Sequence, residues 1–301
     1  MFRRITCATD FSETAAAAAQ YAMSIARTFH GRVELVHAWH LPAELADGLT
    51  ILNPEVVAES RRATEQQLTL AQMKLGEGIE RRLLEGEPDG AVVDHARKTH
   101  ADLIVVGTRG RTGLSHVLLG SVAERIVRTS DVPVLAVPHA WKVQPDAHFA
   151  PKHILVPVDM EAASAEILRT AVSLAGATHG RVSAVYAWQM PFYFAAGTDL
   201  AADYERRETA RFESWVHEAL RGTHVGVHRV ARNGATTEVI REVAAEEKAD
   251  LVVMATAGRT GIEHFMIGSV TERTVRTVGL PVLTFRRPPE RAAEGVLVEE
   301  R

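Results

Sequence analysis

The sequence predicts an α/β protein that consists of two tandem copies of one doubly wound parallel sheet. The chain repeats itself: residues 101–138 align with residues 249–286 without a gap, at an offset of 249 − 101 = 148, and 21 of these 38 positions are identical. Strand-like and helix-like patterns alternate along each copy, which is typical of parallel sheets with helical connections. Uninterrupted apolar runs such as residues 103–106 are typical of strands buried on both faces.

The size of the repeat suggests the domain organisation. A repeat this long is a whole domain rather than a solenoid unit. A chain of 301 residues also favours two domains, at roughly 100–200 residues each. We predict a first domain over 1–140, a linker over 141–151 and a second domain over 152–287. The charged, proline-broken segment 288–301 is predicted to be a mobile tail.

Composition and charge exclude several classes of protein. There are 34 basic and 38 acidic residues, so the net charge is −4, and no basic surface for nucleic acid or an acidic membrane is indicated. No apolar run approaches the ~18–20 residues that span a bilayer. Cys7 is the single cysteine, which is typical of a reducing compartment. We therefore expect a cytoplasmic protein without nucleic-acid or membrane partners.

The elements of the first copy follow from local patterns. A strand over 4–9 ends at Asp10, and Ser12 is placed to cap the next helix, because its hydroxyl can accept a bond from a first-turn N–H group. We expect Gly31 to end that helix in the left-handed C′ position. The remaining predicted elements are a strand at 33–38, a helical stretch at about 54–76, a strand at 79–84, a helix at 90–99, a strand at 103–106, a helix at 121–129 and a strand at 132–137.

A glycine-rich segment follows the fourth strand. Gly107 is followed after two residues by Gly110, and after nine more by Gly120 and Ser121, which open a helix. Ligands of open parallel sheets bind beyond the carboxyl ends of the strands, where the first strand also releases Asp10. Glycine lets backbone N–H groups approach an anion closely, and a helix N-terminus adds unpaired donors. The spacing therefore predicts a phosphate cradle, with the Ser121 hydroxyl as a further donor; the alternative is that the glycines only form turns and Ser121 only caps its helix.

These residues resemble those of the tandem universal stress proteins (the UspA family, ATP-binding subtype), and the resemblance covers about residues 1–286. It implies a Rossmann-like fold of the adenine nucleotide alpha hydrolase type, and binding of ATP or a related adenine nucleotide. Asp10 matches the family's acidic residue near the nucleotide, which helps to hold a divalent ion such as Mg²⁺; the alternative is a second helix cap. Ala38 matches the position whose backbone recognises adenine; the alternative is plain core packing. The nucleotide-binding residues implied in the first copy are Thr9, Asp10, Ala38, Gly107, Arg109, Gly110, Gly113, Gly120, Ser121 and Val122.

The second copy departs from this pattern at one position. Ala255 replaces the first glycine of the segment. A methyl group there removes easy access to positive φ and crowds a ribose on that backbone, so we expect weaker or absent nucleotide binding. The residues that match the family in this copy are Asp159, Ala187, Gly258, Gly268, Ser269 and Val270.

Other polar residues allow more than one interpretation. None of the 14 histidines forms a pair or cluster with metal-ligand spacing. His37 either points into the cleft or lies in the core, and His116 and His264 either contact phosphate or pack on their neighbours. Arg111 is a candidate to neutralise phosphate charge. Arg125 is expected in a surface or interface ion pair of little energetic value.

The last strands of the two copies, over 133–137 and 281–285, are predicted edge strands, and exposed edges invite pairing. The resemblance implies that these strands pair within the chain to give a pseudo-dimer, and a homodimer of whole chains is a further option. No side chain is evidently placed to activate water, so the preferred function is a binding and signalling module in stress responses, as the resemblance implies. The alternatives are a slow ATPase or autophosphorylating protein with Ser121 as acceptor, and a nucleotide-free scaffold that binds proteins through its edge strands.

Overall fold

The chain forms two compact α/β units, which confirms the predicted fold class. The first unit comprises Met1–Ala150 together with Glu263–Thr284, and the second comprises Pro151–Ile262 with Phe285–Arg301. The computed structural model describes residues 1–40, 54–76, 78–108, 119–139, 141–142, 144, 146–191, 199–223, 225–256 and 268–286. The predicted mobile tail over 288–301 lies outside the described residues, and the boundaries at 140 and 152 stay predictions.

The first repeat folds as alternating strands and helices, each within a few residues of its predicted place. Its elements are β1 (Arg4–Ala8), α1 (Glu13–Phe29), β2 (Arg32–Trp39), α2 (Pro54–Leu75), β3 (Glu80–Glu85), α3 (Pro88–Lys98), β4 (Leu103–Gly107), α4 (Ser121–Thr129) and β5 (Val134–Val137). The strands are parallel and lie in the order β3-β2-β1-β4-β5. The order reverses between β1 and β4, where Ile5 is paired with both Val33 and Leu103.

The first unit also contains the last two elements of the second repeat. These are α8 (Ser269–Thr277) and β10 (Val282–Phe285), of which the first unit includes residues up to Thr284. β10 runs antiparallel to β5, with Leu283 opposite Leu135, and the hydroxyl of Thr284 donates a hydrogen bond to the carbonyl of Val134 at 3.2 Å. The expected pairing of the last strands of the two copies is therefore present.

The second unit is a parallel sheet built from the rest of the second repeat. Its elements are β6 (His153–Pro157), α5 (Ala162–Thr178), β7 (Arg181–Trp188), α6 (Asp199–Ala219), β8 (Val227–Asn233), α7 (Thr236–Glu246) and β9 (Leu251–Ala255). The strand order is β9-β6-β7-β8. No helix among the described residues of either unit is long and apolar enough to cross a bilayer.

One repeated aspartate ties the start of each sheet together. In the first unit, the Oδ2 atom of Asp102 accepts hydrogen bonds from the backbone N–H groups of Arg3 and Arg4, at 2.7 and 2.8 Å. In the second unit, Asp250 accepts the same two bonds from Lys152 and His153, at 2.7 and 3.1 Å. The repeated Ala-Asp-Leu sequence thus supplies acceptors for backbone donors that the sheet leaves unpaired.

The end of α1 differs from the prediction. His30, and not Gly31, takes the left-handed conformation at the helix end, with φ of 52°. Gly31 is required for a different reason, because a Cβ there would lie only 2.5 Å from the carbonyl oxygen of Phe2. The second repeat copies both features: His179 has φ of 55°, and a Cβ on Gly180 would lie 2.3 Å from the carbonyl oxygen of Pro151. These glycines allow close backbone contact rather than a left-handed turn.

Candidate functional site

The carboxyl end of β1 forms a tight turn around Asp10. The Oδ1 atom of Asp10 accepts hydrogen bonds from the N–H group and the hydroxyl of Ser12, at 3.1 and 2.5 Å. Ser12 in turn caps α1 by accepting a bond from the N–H group of Ala15 at 3.2 Å, as predicted. Phe11, between them, has φ of 67°, an unusual conformation for a bulky residue. Such strain is concentrated at functional sites, so the turn is a candidate ligand contact.

An aromatic pair extends this turn toward β2. The rings of Phe11 and His37 are stacked with centroids 4.4 Å apart, and the Nδ1 atom of His37 lies 2.7 Å from the carbonyl oxygen of Thr9. Because a carbonyl only accepts, Nδ1 carries the hydrogen in this bond. His37 is therefore fixed to the turn rather than buried in the core. Phe11 is not predicted from the sequence, because its only signal there is its position between Asp10 and the helix cap.

The predicted adenine position lies on the same strand but faces the core. Ala38 is 7% exposed and is paired with Leu84 of β3. Its side chain thus serves packing, as the alternative interpretation held. A backbone role is still compatible with this placement, because β1 ends while β2 continues: Thr9 donates its N–H to the carbonyl of Val36 at 2.9 Å, two residues before Ala38.

The fourth strand ends beside the first. β4 pairs with β1 through Val105 and Cys7, so Gly107 and the turn at Asp10 lie on the same edge of the sheet. Thr108 donates its N–H to the carbonyl of Val137 at 2.9 Å, and Gly120 donates its N–H to the carbonyl of Thr108 at 2.8 Å. The segment after β4 therefore begins and ends at the same place on this edge, because Thr108 and Gly120 are hydrogen-bonded to each other. The residues between, including the predicted Arg109, Gly110 and Gly113 and the alternatives Arg111 and His116, lie outside the described residues.

Packing against α1 explains why residue 107 is a glycine. A Cβ there would lie 2.9 Å from Cγ2 of Thr14, and 3.1 Å from the backbone carbon and oxygen of the same residue. Thr14 is 3% exposed, and its hydroxyl lies 2.9 Å from Nδ1 of His139, just beyond β5. Gly107 does not have positive φ, so the expectation that this position needs left-handed backbone is wrong. Close approach of α1 is the physical requirement.

The N-terminus of α4 is the feature that suits an anion. Gly120 is its N-cap, with φ of −61° and ψ of 139°, and as a glycine it has no side chain with which to cap the helix. The first helical bond runs from the N–H of Glu124 to the carbonyl of Gly120 at 2.9 Å. The N–H groups of Ser121, Val122 and Ala123 therefore have no acceptor within the helix. The alternative that Ser121 caps its own helix is wrong; Ser121 is the first helical residue, and it is exposed.

The charged side chains near this edge form an ion pair but no metal-binding cluster among the described residues. Arg125, one turn into α4, lies 3.4 Å from Oδ1 of Asp89, which is the expected surface ion pair. Among the described residues, no group of three or more histidine, cysteine or acidic side chains is arranged to hold a metal ion. A divalent ion at Asp10 would thus take most of its ligands from a bound phosphate and water.

The equivalent edge of the second repeat has the same turn, but different residues donate the hydrogen bonds to its aspartate. Asp159 accepts hydrogen bonds from the hydroxyl of Ser164 at 2.6 Å and from the N–H of Glu161 at 3.1 Å. Met160 has φ of 65°, matching Phe11, and Ala187 is half-buried.

The N-terminus of α8 resembles that of α4. Gly268 is the N-cap of α8 and carries no side-chain cap, and Ser269 begins the helix. Ser269 is exposed and Val270 is half-buried, as at the equivalent positions of α4. Gly258 and His264 lie outside the described residues.

Comparisons with known proteins agree with this architecture. A sequence model described as the Universal stress protein family matches the chain twice, over 1–138 and 151–286. The chain is 36% identical over 143 residues to a universal stress protein of Methanocaldococcus jannaschii, covering 46% of this chain and 82% of that protein. It is 30% identical over 190 residues to one of Mycobacterium tuberculosis, covering 62% of each, which is less than two thirds of that relative's length.

The fold is found in solved structures as well. A universal stress protein from Archaeoglobus fulgidus superposes with a TM-score of 0.61 at 18% identity, over 94% of this chain and 98% of that chain. One described as a putative universal stress protein from Pseudomonas aeruginosa gives 0.61 at 17% identity, over 94% and 93%. At this identity the likeness shows the fold alone. The two matches of the family model, however, together span most of the chain, and the chain therefore belongs to the Universal stress protein family.

Proposed function

We propose that the chain binds ATP or a related adenine nucleotide at the carboxyl edge of the first unit's sheet, as a signalling module in a stress response. The observation that carries the proposal is the N-terminus of α4, where Gly120 leaves three first-turn N–H groups without helical acceptors. Phosphate oxygens are well suited to such donors, because the N–H groups and the helix dipole both favour negative charge.

The neighbouring turn supplies the second half of the proposed site. Asp10 lies at the end of β1, the strand beside β4. Its carboxylate is the kind of hard oxygen ligand that Mg²⁺ takes together with phosphate oxygens. The pair of Phe11 and His37 provides flat apolar surface close to Ala38, where the family resemblance puts the base. Asp10 thus has a role beyond the Ser12 turn, and Thr9 orients that turn.

We also propose a cytoplasmic location and an intramolecular pseudo-dimer. Cys7, the single cysteine, is fully buried and suits a reducing compartment. The antiparallel pairing of Leu283 with Leu135 joins the last strands of the two repeats, as a pseudo-dimer requires. Whether whole chains associate further is tested by light scattering of the purified protein.

Thermal melting with and without ligand tests the nucleotide proposal. ATP, ADP, AMP and a cyclic dinucleotide are each added to the full chain. A ligand at 100 times its Kd stabilises the native state by about 2.7 kcal/mol, which raises Tm by several degrees. We expect a shift with at least one adenine nucleotide, a reduced shift for Asp10→Asn, and no such reduction for the matched variant Asp159→Asn.

The alternatives predict different results. If no nucleotide shifts Tm and none is released from the purified protein on denaturation, the proposal fails in favour of a nucleotide-free scaffold. Steady release of phosphate from ATP that disappears in Gly110→Ala would favour slow hydrolysis instead of pure binding. Equal shifts for Asp10→Asn and the unmodified chain would show that the ligand lies elsewhere.

A further inference from the structure

The facing surfaces of α1 and α2 in the first unit leave an open cleft. Its volume is about 290 Å³, at the lower end of the ~300–1,000 Å³ typical of small-molecule pockets. Ala15 and Ala19 line it from α1, Ala71 lines it from α2, and Leu35 of β2 lies between them. The cleft exists because small side chains stand where two packed helices normally place large ones.

The second repeat has larger side chains at the equivalent positions of its first helix. Leu168 stands in α5 where α1 has Ala19, at an offset of 168 − 19 = 149, and is fully buried. The next residue, Arg169, donates from Nε to the carbonyl of Ala219 in α6 at 2.7 Å, which closes the gap between those helices. In the first repeat, Gln20 occupies that position and lines the open cleft. The two repeats share a fold but differ in the side chains that stand between these two helices.

The lining of the cleft combines apolar surface with one positive charge. Leu70 lines the cleft and is 58% exposed, so its apolar surface is accessible to a ligand. Lys74 lines the cleft one helical turn farther along α2. Within the described part of the chain, no carboxylate is paired with Lys74. Apolar walls next to a lone ammonium group suit a ligand that is apolar at one end and anionic at the other.

We propose that this cleft binds a small amphiphilic organic anion. An aromatic ring or short acyl chain lies against the exposed side chains of Ala16 and Leu70, above the buried Ala15 and Ala19. Its carboxylate or sulfonate is paired with Lys74. The cleft shares Thr9, Phe11 and Ser12 with the turn at the edge of the proposed nucleotide site, and the rest of its lining comes from α1, α2 and β2. Because the test below uses dyes and no nucleotide, the inference does not depend on nucleotide binding.

Fluorescence titration of the full chain with two dyes tests this proposal. The first is 1-anilinonaphthalene-8-sulfonate, which carries an anionic group, and the second is N-phenyl-1-naphthylamine, the same ring system without the charge. We expect one saturable site for the sulfonate. Ala19→Leu, which copies Leu168, should weaken both dyes at least tenfold, and Lys74→Gln should weaken the sulfonate at least fivefold while leaving the neutral dye unchanged.

The controls separate the cleft from other surfaces. Ala17→Leu makes the same change on α1 outside the cleft lining and should leave both dyes unaffected. Ala71→Leu fills the cleft from α2, and replaces Ala19→Leu if that variant loses its far-ultraviolet circular dichroism. Binding unchanged in both filling variants overturns the proposal, as does an equal effect of Lys74→Gln on the two dyes.

Discussion

The Cγ2 methyl of Thr14 lies only 2.9 Å from the point where a Cβ on Gly107 would stand. The second repeat changes both partners together: Ala255 replaces the glycine, and Ala163 stands in the place of Thr14, at offsets of 148 and 149. A methyl on the strand is thus accompanied by a smaller side chain on the helix. We therefore expect the two positions to act as one packing unit, whether or not a ligand is bound.

Gly107→Ala should therefore destabilise the first unit. The added methyl forces α1 away from β4, and overpacking of this kind costs about 1–3 kcal/mol in the free energy of unfolding. Thr14→Ala in the same chain should restore part of the loss, because it recreates the alanine pair of the second repeat. Urea unfolding of the two single variants and the double variant measures the coupling. Additive losses would show that the two residues do not share this space.

Ser121→Pro should weaken nucleotide binding without weakening the fold. Proline is well tolerated as the first helical residue, and the extended backbone of Gly120 suits the residue before it. The substitution removes the N–H group and the hydroxyl of Ser121, and a lost bond to a charged phosphate costs about 1.5–3 kcal/mol, so Kd should rise roughly ten- to a hundredfold.

Ser269→Pro is the matched control, because Gly268 has nearly the same backbone angles as Gly120. Calorimetric titration should show that it leaves the principal site intact. If both variants lose affinity equally, or if the unmodified chain has two sites of equal affinity, the expectation that the second repeat binds more weakly is wrong.

The ion pairs of Glu34 predict an acid-sensitive contribution to stability. Burial alone would raise the pKa of Glu34, but hydrogen bonds from His95 and Arg82 outweigh burial and lower it from the ordinary value of 4.5. The contacts are short, with Nε2 of His95 at 2.7 Å and Nε of Arg82 at 2.9 Å. Because the folded protein holds the ionised form more tightly, this stabilisation is present above the unfolded pKa and is lost as pH falls through the folded one.

Glu34→Gln should accordingly lower the free energy of unfolding by about 1–3 kcal/mol at pH 7. The difference from the unmodified chain should shrink as the pH falls below about 4, the region where glutamate titrates. Glu80→Gln is the control: its contact with Arg32 is 3.9 Å long and mostly exposed, so it should change stability little at any pH. A pH-independent effect of Glu34→Gln would exclude the ionic explanation.

Cys7 should be unreactive in the folded protein. Burial raises the pKa of its thiol from 9.0 to about 12, so almost no thiolate exists at pH 8, and thiolate is the reactive form. Labelling with Ellman's reagent should be negligible in buffer and complete in urea, and its urea dependence should follow unfolding measured by circular dichroism. Rapid labelling of the native protein would mean that β1 opens locally.

The order of elements and the position of the edge could be predicted because they depend on local pattern and on the repeat. Helix α4 begins and ends at the predicted residues 121 and 129, since Gly120 and the charged turn that follows are strong local signals. The buried strand at Leu103–Val106 is likewise continuous in the core. Ser12 caps α1 for the reason that its position indicates.

The physical reasons for individual glycines could not be predicted, because they depend on contacts distant in sequence. Gly31 is required by the carbonyl of Phe2, and Gly107 by Thr14, which lies 93 residues earlier (107 − 14). A glycine at a turn indicates left-handed backbone and close approach equally well. His37 was ambiguous for the same reason, because its partner Phe11 follows a different strand.

The pairing of β10 with β5 has a consequence during synthesis. The first unit needs residues up to Thr284, although the rest of it is complete at Ala150, so 284 − 150 = 134 residues must still be translated. At about 5–20 residues per second, the nascent chain leaves the β5 edge open for about 7–27 s. While it is open, that edge presents unpaired backbone groups to other exposed strand edges, which is the general hazard of an edge strand, and the pairing with β10 ends this stage.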